Sequence, residues 1–175
     1  QTQDIPLKLY YFGPMFRYER PQKGRLRQFT QLGVEMFSNV SHYREFEIIS
    51  LADKLLKKLS INNNLTLHIN NLGDIAGRST YIEILKKYYI QKKNSLSEDS
   101  LKRLEKNPLR ILDSKSAIDI EINRNAPLIN DYLSKESNEY FNKFKKLLIE
   151  SKVKFYENPF LVRGLDYYNN SIFEY

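Results

Sequence analysis

An α+β fold is predicted for this sequence, with an antiparallel sheet flanked by helices and a mainly helical insertion between two parts of the sheet. Three observations support this prediction. Residues 7–38 are rich in the aromatic residues that suit strands, residues 75–153 repeat apolar residues at helical spacing, and strand-like residues return after residue 153. We therefore divide the chain into a core, residues 1–73 and 153–175, and a helical insertion, residues 74–152.

The first part of the core contains most of the predicted sheet. Residues 7–12, 15–19 and 29–38 are predicted strands, because aromatic and β-branched residues dominate them. Gly13 and Pro14 predict a bend between the first two strands. Residues 20–28 are polar and predict the loop that leads into the third strand.

A helix and a short strand are predicted to follow this sheet. Ser41 is a plausible N-cap, and the apolar residues after it recur at helical spacing as far as Leu59. Residues 65–69 then alternate as a half-buried strand does, so His68 should point away from the apolar face of that strand.

The insertion is predicted to contain several helices joined by short turns. Two groups of apolar residues, around Tyr81 and around Phe141, have helical spacing, and Ser97 should cap a shorter helix between them that stops before Pro108. Strand character returns at residues 153–156, 160–163 and 167–175. Because the sequence ends in strand-like residues, we expect it to be part of a longer protein.

Composition excludes several functional classes. The 175 residues include no cysteine, and the two histidines, His42 and His68, lie too far apart to suggest a zinc site. Neither a membrane-spanning apolar run nor a signal peptide is recognisable, so we expect a cytoplasmic protein without a membrane partner. Lys and Arg outnumber Asp and Glu by 28 to 21, which weakly favours a polyanionic partner.

Two predicted strands carry polar residues on one shared face. Period-two counting places Met15, Arg17 and Glu19 together, and it groups Phe29, Gln31, Gly33 and Glu35 on the returning strand. Gly33 would allow another group to approach the backbone closely. An ordinary sheet with one solvated face is the alternative explanation of this pattern.

The loop between these strands concentrates four cations around one glycine, namely Arg20, Lys23, Arg25 and Arg27 around Gly24. Arginine offers forked donors that suit phosphate oxygens, so this loop can close over a polyphosphate. It can equally be a solvated turn. It is not a P-loop, because it joins two strands and lacks the Gly-Lys-Ser/Thr ending.

Three blocks of sequence resemble one known family. Residues 16–29 (FRYERPQKGRLRQF), continuing into residues 31–35 (QLGVE), closely resemble motif 2 of class II aminoacyl-tRNA synthetases in its histidyl form. Residues 161–168 (LVRGLDYY) resemble the histidine signature of histidyl-tRNA synthetases, and residues 107–115 (NPLRILDSK) are similar to that family as well. The resemblance spans nearly the whole chain, and it implies the antiparallel sheet of the class II synthetase fold.

The resemblance implies a histidine-tRNA ligase that activates histidine with ATP and transfers it to tRNA(His). Arg17 and Arg163 are the implied catalytic residues, both beside the α-phosphate, where negative charge must be stabilised. Arg25 is expected at the terminal phosphates and Phe29 on the adenine. Glu19 is expected at the adenine or the tRNA end. Mg²⁺ would accompany the ATP, and no residue of the chain is predicted to be a metal ligand.

Histidine binding is expected from a second set of residues. The resemblance implies that Glu35 and Tyr168 contact the imidazole, that Gln31 contacts the amino or carboxylate group, and that Tyr167 lines the pocket beside Arg163. Hydrogen bonds to both ring nitrogens would reject other amino acids strongly.

The family also implies a homodimer, and an insertion that lies near the tRNA acceptor arm. Its motif 1, the threonine-containing loop before motif 2, motif 3 and the anticodon-binding domain have no counterpart in these 175 residues. We therefore expect the fragment alone to be inactive.

Two other functions remain open from the sequence. One is the regulatory paralogue of ATP phosphoribosyltransferase, which shares the fold and binds histidine as an effector. That paralogue would not be expected to keep both the loop from Arg17 to Phe29 and Arg163 before Gly164. The other is a synthetase-like RNA-binding or sensor module, for which a degenerate site would be expected.

Overall fold

The predicted α+β class is confirmed by the structure, a computed structural model that describes residues 5–18, 20–164 and 168–175. Two antiparallel strands precede a mixed region in which helices pack around a second, three-stranded sheet. The strands are β1 (Leu7–Phe16), β2 (Gln28–Phe37), β3 (His68–Asn71), β4 (Tyr156–Glu157) and β5 (Ser171–Glu174). The helices are α1 (His42–Lys58), α2 (Ile75–Gln91), α3 (Glu98–Lys106), α4 (Leu109–Leu112), α5 (Ala117–Asn123) and α6 (Lys135–Glu150).

Strands β1 and β2 form an antiparallel hairpin that pairs Leu7 with Phe37 and Phe16 with Gln28. The bend predicted at Gly13 and Pro14 is wrong, because β1 continues through both residues. Among the described residues, β2 is the only strand that pairs with β1. A proline is tolerated on such an edge strand, where its missing N–H need not bond to a second neighbour.

The second sheet has the order β4-β3-β5, with β3 parallel to β4 and antiparallel to β5. Its central strand begins three residues later and ends two residues later than the predicted strand at residues 65–69. Leu67 and Ile69 are buried and His68 is half-buried, as the alternation predicted. However, Asn70 and Asn71 are buried too, so both faces of the strand end are covered.

The strand predicted at residues 160–163 is absent from the described structure, and β4 and β5 are shorter than predicted. Asn158 accounts for this difference, because its side-chain oxygen accepts a hydrogen bond from the Phe160 amide at 3.0 Å, which turns the chain. The side-chain amide of Asn70 then donates to the carbonyl oxygens of Pro159 and Leu161, at 3.3 and 2.9 Å. These backbone groups are therefore satisfied without a neighbouring strand.

Two of the predicted helix starts are confirmed. The Ser41 hydroxyl accepts a hydrogen bond from the Tyr43 amide at the start of α1. The Ser97 hydroxyl accepts from the Ser100 amide at the start of α3, which ends before Asn107 and Pro108 as predicted. Serine at an N-cap satisfies an amide that has no partner within the helix, typically stabilising it by about 1 kcal/mol.

Two apolar clusters hold the structure together. The first joins α1, α6 and β3, and it consists of Ile49, Leu67, Ile69, Phe141, Phe144, Leu148 and Val153. The second contains Leu72, the residue directly after β3, residues of α2 to α4, and Ile172 of β5, and Ile122 of α5 packs against it. Each fully buried large apolar side chain stabilises the fold by about 1.5–3 kcal/mol, so Ile69 and Leu72 fix β3 and the residue after it in both clusters.

The division into a core and an insertion stays a prediction. Helix α6 lies within residues 74–152 yet packs on α1, whereas α2 to α5 surround the second cluster. Among the described helices, none is long and apolar enough to cross a membrane.

Candidate functional site

The hairpin brings the predicted polar residues onto one face. Met15 lies opposite Phe29, Gly13 opposite Gln31, and Leu9 opposite Glu35. Directly opposed residues of antiparallel strands point to the same side of the sheet, so this register places Phe29, Gln31, Gly33 and Glu35 on the side of Met15. The other side carries aromatic residues that are largely exposed, including Tyr10, Phe12 and Phe16.

Arg17 lies at the end of the hairpin and contacts Phe29. Its guanidinium carbon is 3.9 Å from the centroid of the Phe29 ring, and its Nε donates to the Leu26 carbonyl at 3.0 Å. The Arg17 amide also donates to the Arg27 carbonyl, so the backbone pairing extends beyond β1. Arg17 and Phe29 are thus close enough for one ligand to contact both.

The loop between the strands is a tight turn. Gln22 and Arg25 exchange backbone hydrogen bonds in both directions, at 3.3 and 2.9 Å. Gly24 lies between them with a φ of +76°, a conformation that side-chain-bearing residues rarely adopt. The turn presents Arg25 at an exposed position.

Gln31 is fixed by a residue that the sequence did not single out. Its side-chain amide donates to the Tyr11 hydroxyl at 2.7 Å. The Tyr11 ring lies directly over Gly33, where an added Cβ would be 2.0 Å from the ring carbon Cζ. The group that approaches the Gly33 backbone is therefore Tyr11 of the same protein. Glu35 is exposed near the other end of the hairpin.

Arg163 is held by β5. Its Nη2 donates to the Phe173 carbonyl at 2.6 Å, and its Nη1 is 3.4 Å from a carboxylate oxygen of Glu174. About a third of the side chain is exposed, at 33%. The following residue, Gly164, accepts a hydrogen bond from the Asn107 side chain.

A cleft of about 1020 Å³ brings the two sequence blocks together, because Arg25 and Arg163 both line it. Two further cations, Arg110 and Lys115, come from the block at residues 107–115. The lining also includes the two carboxylates Asp113 and Glu174, the polar residues Asn64, Thr66, Ser114 and Asn158, and His68 and Tyr175. With more cations than carboxylates, the cleft suits an anionic ligand.

The other predicted site residues lie outside this lining. The described residues that line the cleft do not include Arg17, Phe29, Gln31, Glu35 or Tyr168. Tyr168 packs against the second apolar cluster, and its carbonyl accepts a hydrogen bond from Arg78. Glu19 and Tyr167 fall outside the described residues.

Asp119 holds the block at residues 107–115 in place through a hydrogen bond from Ser114. Its side chain is fully buried and accepts hydrogen bonds from the hydroxyls of Ser97, Ser100 and Ser114 and from the Ser97 amide. Burial acts to raise the pKa of the Asp119 carboxyl, but the hydrogen bonds, first among them that from Ser114, together hold the pKa below its ordinary value. Asp119 is therefore an ionised anchor between α3, α5 and the loop before α5.

Four residues at or near the site were not predicted individually from the sequence. Tyr11 bonds to Gln31, Arg110 and Lys115 line the cleft, and Arg78 bonds to Tyr168. The only signal for Arg110 and Lys115 was the family-like block that contains them. Arg78 had no signal, since an arginine on a helix is most often solvated.

Comparison with known proteins identifies the class. The family model described as the tRNA synthetase class II core domain (G, H, P, S and T) matches residues 1–169. This chain therefore belongs to the class II tRNA synthetase core family, as the motif-2 block predicted.

Within that class, the similar proteins are histidine-tRNA ligases, which confirms the resemblance seen in the sequence. The chain is 49% identical over 173 residues to the histidine-tRNA ligase of Fervidobacterium nodosum, covering 99% of this chain and 40% of that protein. It is 52% identical over 169 residues to the enzyme of Latilactobacillus sakei, covering 97% of this chain and 39% of that protein.

A solved structure agrees with the fold. The crystal structure of apo Staphylococcus aureus histidyl-tRNA synthetase matches with a TM-score of 0.72 and 34% identity, covering 98% of this chain and 39% of that chain. The chain thus spans about two fifths of the length of the curated relatives that it matches.

Proposed function

We propose that this chain is the ATP- and histidine-binding part of a histidine-tRNA ligase. The observation that carries the proposal is the basic cleft, because Arg25, from the motif-2 loop, and Arg163, from the histidine signature, both line it. The relatives reported above are all histidine-tRNA ligases, so the regulatory paralogue is not favoured.

The proposed reaction has two steps. A carboxylate oxygen of histidine forms a bond to the α-phosphorus of ATP, and the bond from that phosphorus to the bridging oxygen of the β-phosphate breaks, releasing pyrophosphate. A ribose hydroxyl at the end of tRNA(His) then attacks the carbonyl carbon of the adenylate, and AMP leaves. The first step increases charge on the phosphoryl oxygens, which fixed cations stabilise.

We assign the ATP contacts from the resemblance. Arg17 and Arg163 act on the α-phosphate, Arg25 on the terminal phosphates and Phe29 on the adenine. The contact between the Arg17 guanidinium and the Phe29 ring supports the joint assignment, because the α-phosphate and the base belong to one nucleotide. Glu19 completes this set at the adenine or the tRNA end.

Mg²⁺ would be held mainly by phosphate oxygens and water. The carboxylates of the cleft do not offer a free ligand set, because Asp113 pairs with Arg110 at 3.2 Å and Glu174 pairs with Arg163 at 3.4 Å. When bound, the ion neutralises charge on the phosphates. The residues of this chain orient the nucleotide around it.

We assign histidine binding to Gln31, Glu35, Arg163, Tyr167 and Tyr168. The hydrogen bond from Gln31 to Tyr11 supports this assignment, since a preoriented amide loses less entropy on binding the amino acid. Glu35 is exposed on the same face as Gln31 and is available to a ligand there. We further propose that the complete enzyme is a cytoplasmic homodimer that charges tRNA(His).

The test is histidine-dependent exchange of pyrophosphate into ATP, measured on the complete enzyme with wild type and Arg163→Ala side by side. We expect exchange in the wild type to require histidine, and the variant to lose about 100-fold or more, as removal of one electrostatic contact at the reacting phosphate does. Arg124→Ala is the control, because Arg124 is an exposed arginine paired only on the surface with Glu121 in the described contacts.

Each outcome decides a separate point. Histidine binding without any exchange would favour the regulatory paralogue. Undiminished exchange in Arg163→Ala would remove Arg163 from the catalytic residues.

A further inference from the structure

The helical segment at residues 74–152 contacts the histidine signature at Gly164. The Asn107 side-chain amide donates to the Gly164 carbonyl at 3.4 Å. Arg110, which like Asn107 belongs to the block at residues 107–115, packs against the same glycine. A Cβ added to Gly164 would lie 2.4 Å from the Nη1 of Arg110. Gly164 thus accepts a hydrogen bond from Asn107, and the end of the Arg110 side chain occupies the space beside its Cα.

The same segment contacts the signature again at Tyr168. Arg78 of α2 is only 7% exposed, and its Nη1 donates to the Tyr168 carbonyl. The Tyr168 side chain packs against the second apolar cluster, to which α2 contributes Tyr81 and Leu85. Both ends of the stretch from Gly164 to Tyr168 are therefore attached to the helical segment, and the three residues between them lie outside the described structure.

The contacting residues are themselves fixed within the helical segment. Arg103 donates to the Arg110 carbonyl at 2.8 Å, and Asp113 pairs with the Arg110 guanidinium. The neighbouring Ser114 hydroxyl donates to the buried Asp119 carboxylate at 2.6 Å. Arg103, Arg110 and Asp113 are about a third or more exposed, whereas Asp119 is fully buried, so the bonds to Asp119 contribute most to holding the block in one arrangement.

We propose that Arg78, Asn107 and Arg110 form a clamp that positions Gly164 and Tyr168 of the histidine signature, so that the helical segment helps to set the geometry of the amino-acid pocket. This inference rests on the proposed function, which places Arg163 and Tyr168 at the histidine. The three residues are positioning residues: they act through their contacts to Gly164 and Tyr168, and no direct contact with histidine or ATP is assigned to them, although Arg110 also lines the cleft. Displacement of a contact residue by about 1 Å is enough to weaken binding and catalysis severely.

The clamp is tested in the complete enzyme with Asn107→Ala and Arg78→Lys, using pyrophosphate exchange. Asn107 is only half-buried, so its alanine variant should fold, and lysine keeps the charge of Arg78 while losing the forked donors. We expect each variant to raise the KM for histidine about tenfold, the effect of losing one hydrogen bond, and to change the KM for ATP less than about twofold. A rise in the KM for histidine without a comparable rise in the KM for ATP distinguishes positioning of the pocket from general loss of structure.

Asn138→Ala is the matched control. The Asn138 amide also donates to a backbone carbonyl at 3.4 Å, that of Leu133, and it too is partly buried in the helical segment, but this bond is remote from Gly164. We expect its KM for histidine to match the wild type. Equal increases in both KM values for Asn107→Ala, or the same histidine effect in Asn138→Ala, would overturn the clamp.

A second measurement separates the clamp from the catalytic proposal. Amide hydrogen exchange at Gly164 and Tyr168 needs no activity, and we expect faster exchange there in Asn107→Ala and Arg78→Lys than in wild type or Asn138→Ala. Unchanged exchange there would refute the clamp even if the enzyme activates histidine. Faster exchange in a protein that shows no pyrophosphate exchange would retain the clamp and remove the proposed activity.

Discussion

The Tyr11 ring occupies the space that a side chain at position 33 would need. It lies 2.0 Å from the position of an added Cβ, and its hydroxyl accepts the hydrogen bond from Gln31. A glycine at position 33 therefore has a local structural reason. Because Gln31 is a proposed histidine contact, this arrangement links a packing requirement to the amino-acid site.

We predict that Gly33→Ala displaces the Tyr11 ring and breaks its hydrogen bond to Gln31. The expected result in the complete enzyme is a rise of about 5- to 10-fold in the KM for histidine, the effect of losing one preorganising hydrogen bond. Gly13→Ala is the control on the paired strand, since a Cβ there meets nothing within 4 Å. Steady-state pyrophosphate exchange measures both variants, and equal KM values would contradict the prediction.

At the scale of the elements, α1, α6 and β5 meet at one buried carboxyl group. Burial raises the pKa of Glu45 in α1 to about 7, although the neighbouring Ser171 of β5 and Tyr140 of α6 act against the shift. In the described structure, one carboxyl oxygen of Glu45 is buried without a hydrogen-bond partner. The packing of these elements therefore favours the neutral acid.

This pKa shift predicts the direction in which stability changes with pH. Between the ordinary value near 4.5 and about 7, the folded state binds more protons than the unfolded state, so Glu45 makes the free energy of unfolding fall as pH rises. Its contribution is fully present below pH 4.5 and is lost above pH 7.

Glu45→Gln copies the neutral form, so we predict that it is more stable than wild type at pH 8, by about 2 kcal/mol, and nearly equal to it at pH 4.5. Urea unfolding of the chain at both pH values measures this difference. Glu83→Gln, at an exposed position of α2, is the control and should not show the pH-dependent gain. A stability difference that is the same at both pH values would disprove the prediction.

At the scale of the whole molecule, burial is distributed unevenly. Strand β3 supplies Ile69 to the first apolar cluster, and Leu72, the residue directly after β3, belongs to the second, so this part of the chain joins the helices of both. By contrast, no described residue between positions 5 and 40 is buried, and Tyr18 at the end of the hairpin is fully exposed. An exposed ion pair between Lys8 and Glu47 connects the hairpin to α1, and such pairs stabilise little.

We predict that the hairpin opens at a lower free energy than the rest of the chain. Native-state hydrogen exchange of the 175-residue chain should show amides of β1 and β2 exchanging at least about tenfold faster than those of β3, because few buried contacts resist local opening of the hairpin. Adding a denaturant should bring the rates together as global unfolding takes over. Equal protection of β1 and β3 without denaturant would show that the hairpin is as stable as the rest of the chain.

Features that depend on near neighbours were determined by the sequence itself. Ser41 and Ser97 cap α1 and α3 as predicted, since a serine hydroxyl bonds to an amide two or three residues away. The period of two placed Gln31 and Glu35 on one face, and the motif-2 block indicated the class of the protein. Each of these signals is contained in a short stretch of chain.

Only the tertiary structure decided what depends on distant groups. The side-chain amide of Asn70 donates to the carbonyls of Pro159 and Leu161, so these residues need no neighbouring strand and do not form the predicted one. Asn107 bonds to Gly164, and Arg25 and Arg163 line one cleft, although each pair lies too far apart in sequence for local periodicity to predict it. Hydrogen bonds and charges act over a few ångströms in space, so their partners become known only when the folded chain brings distant residues that close together.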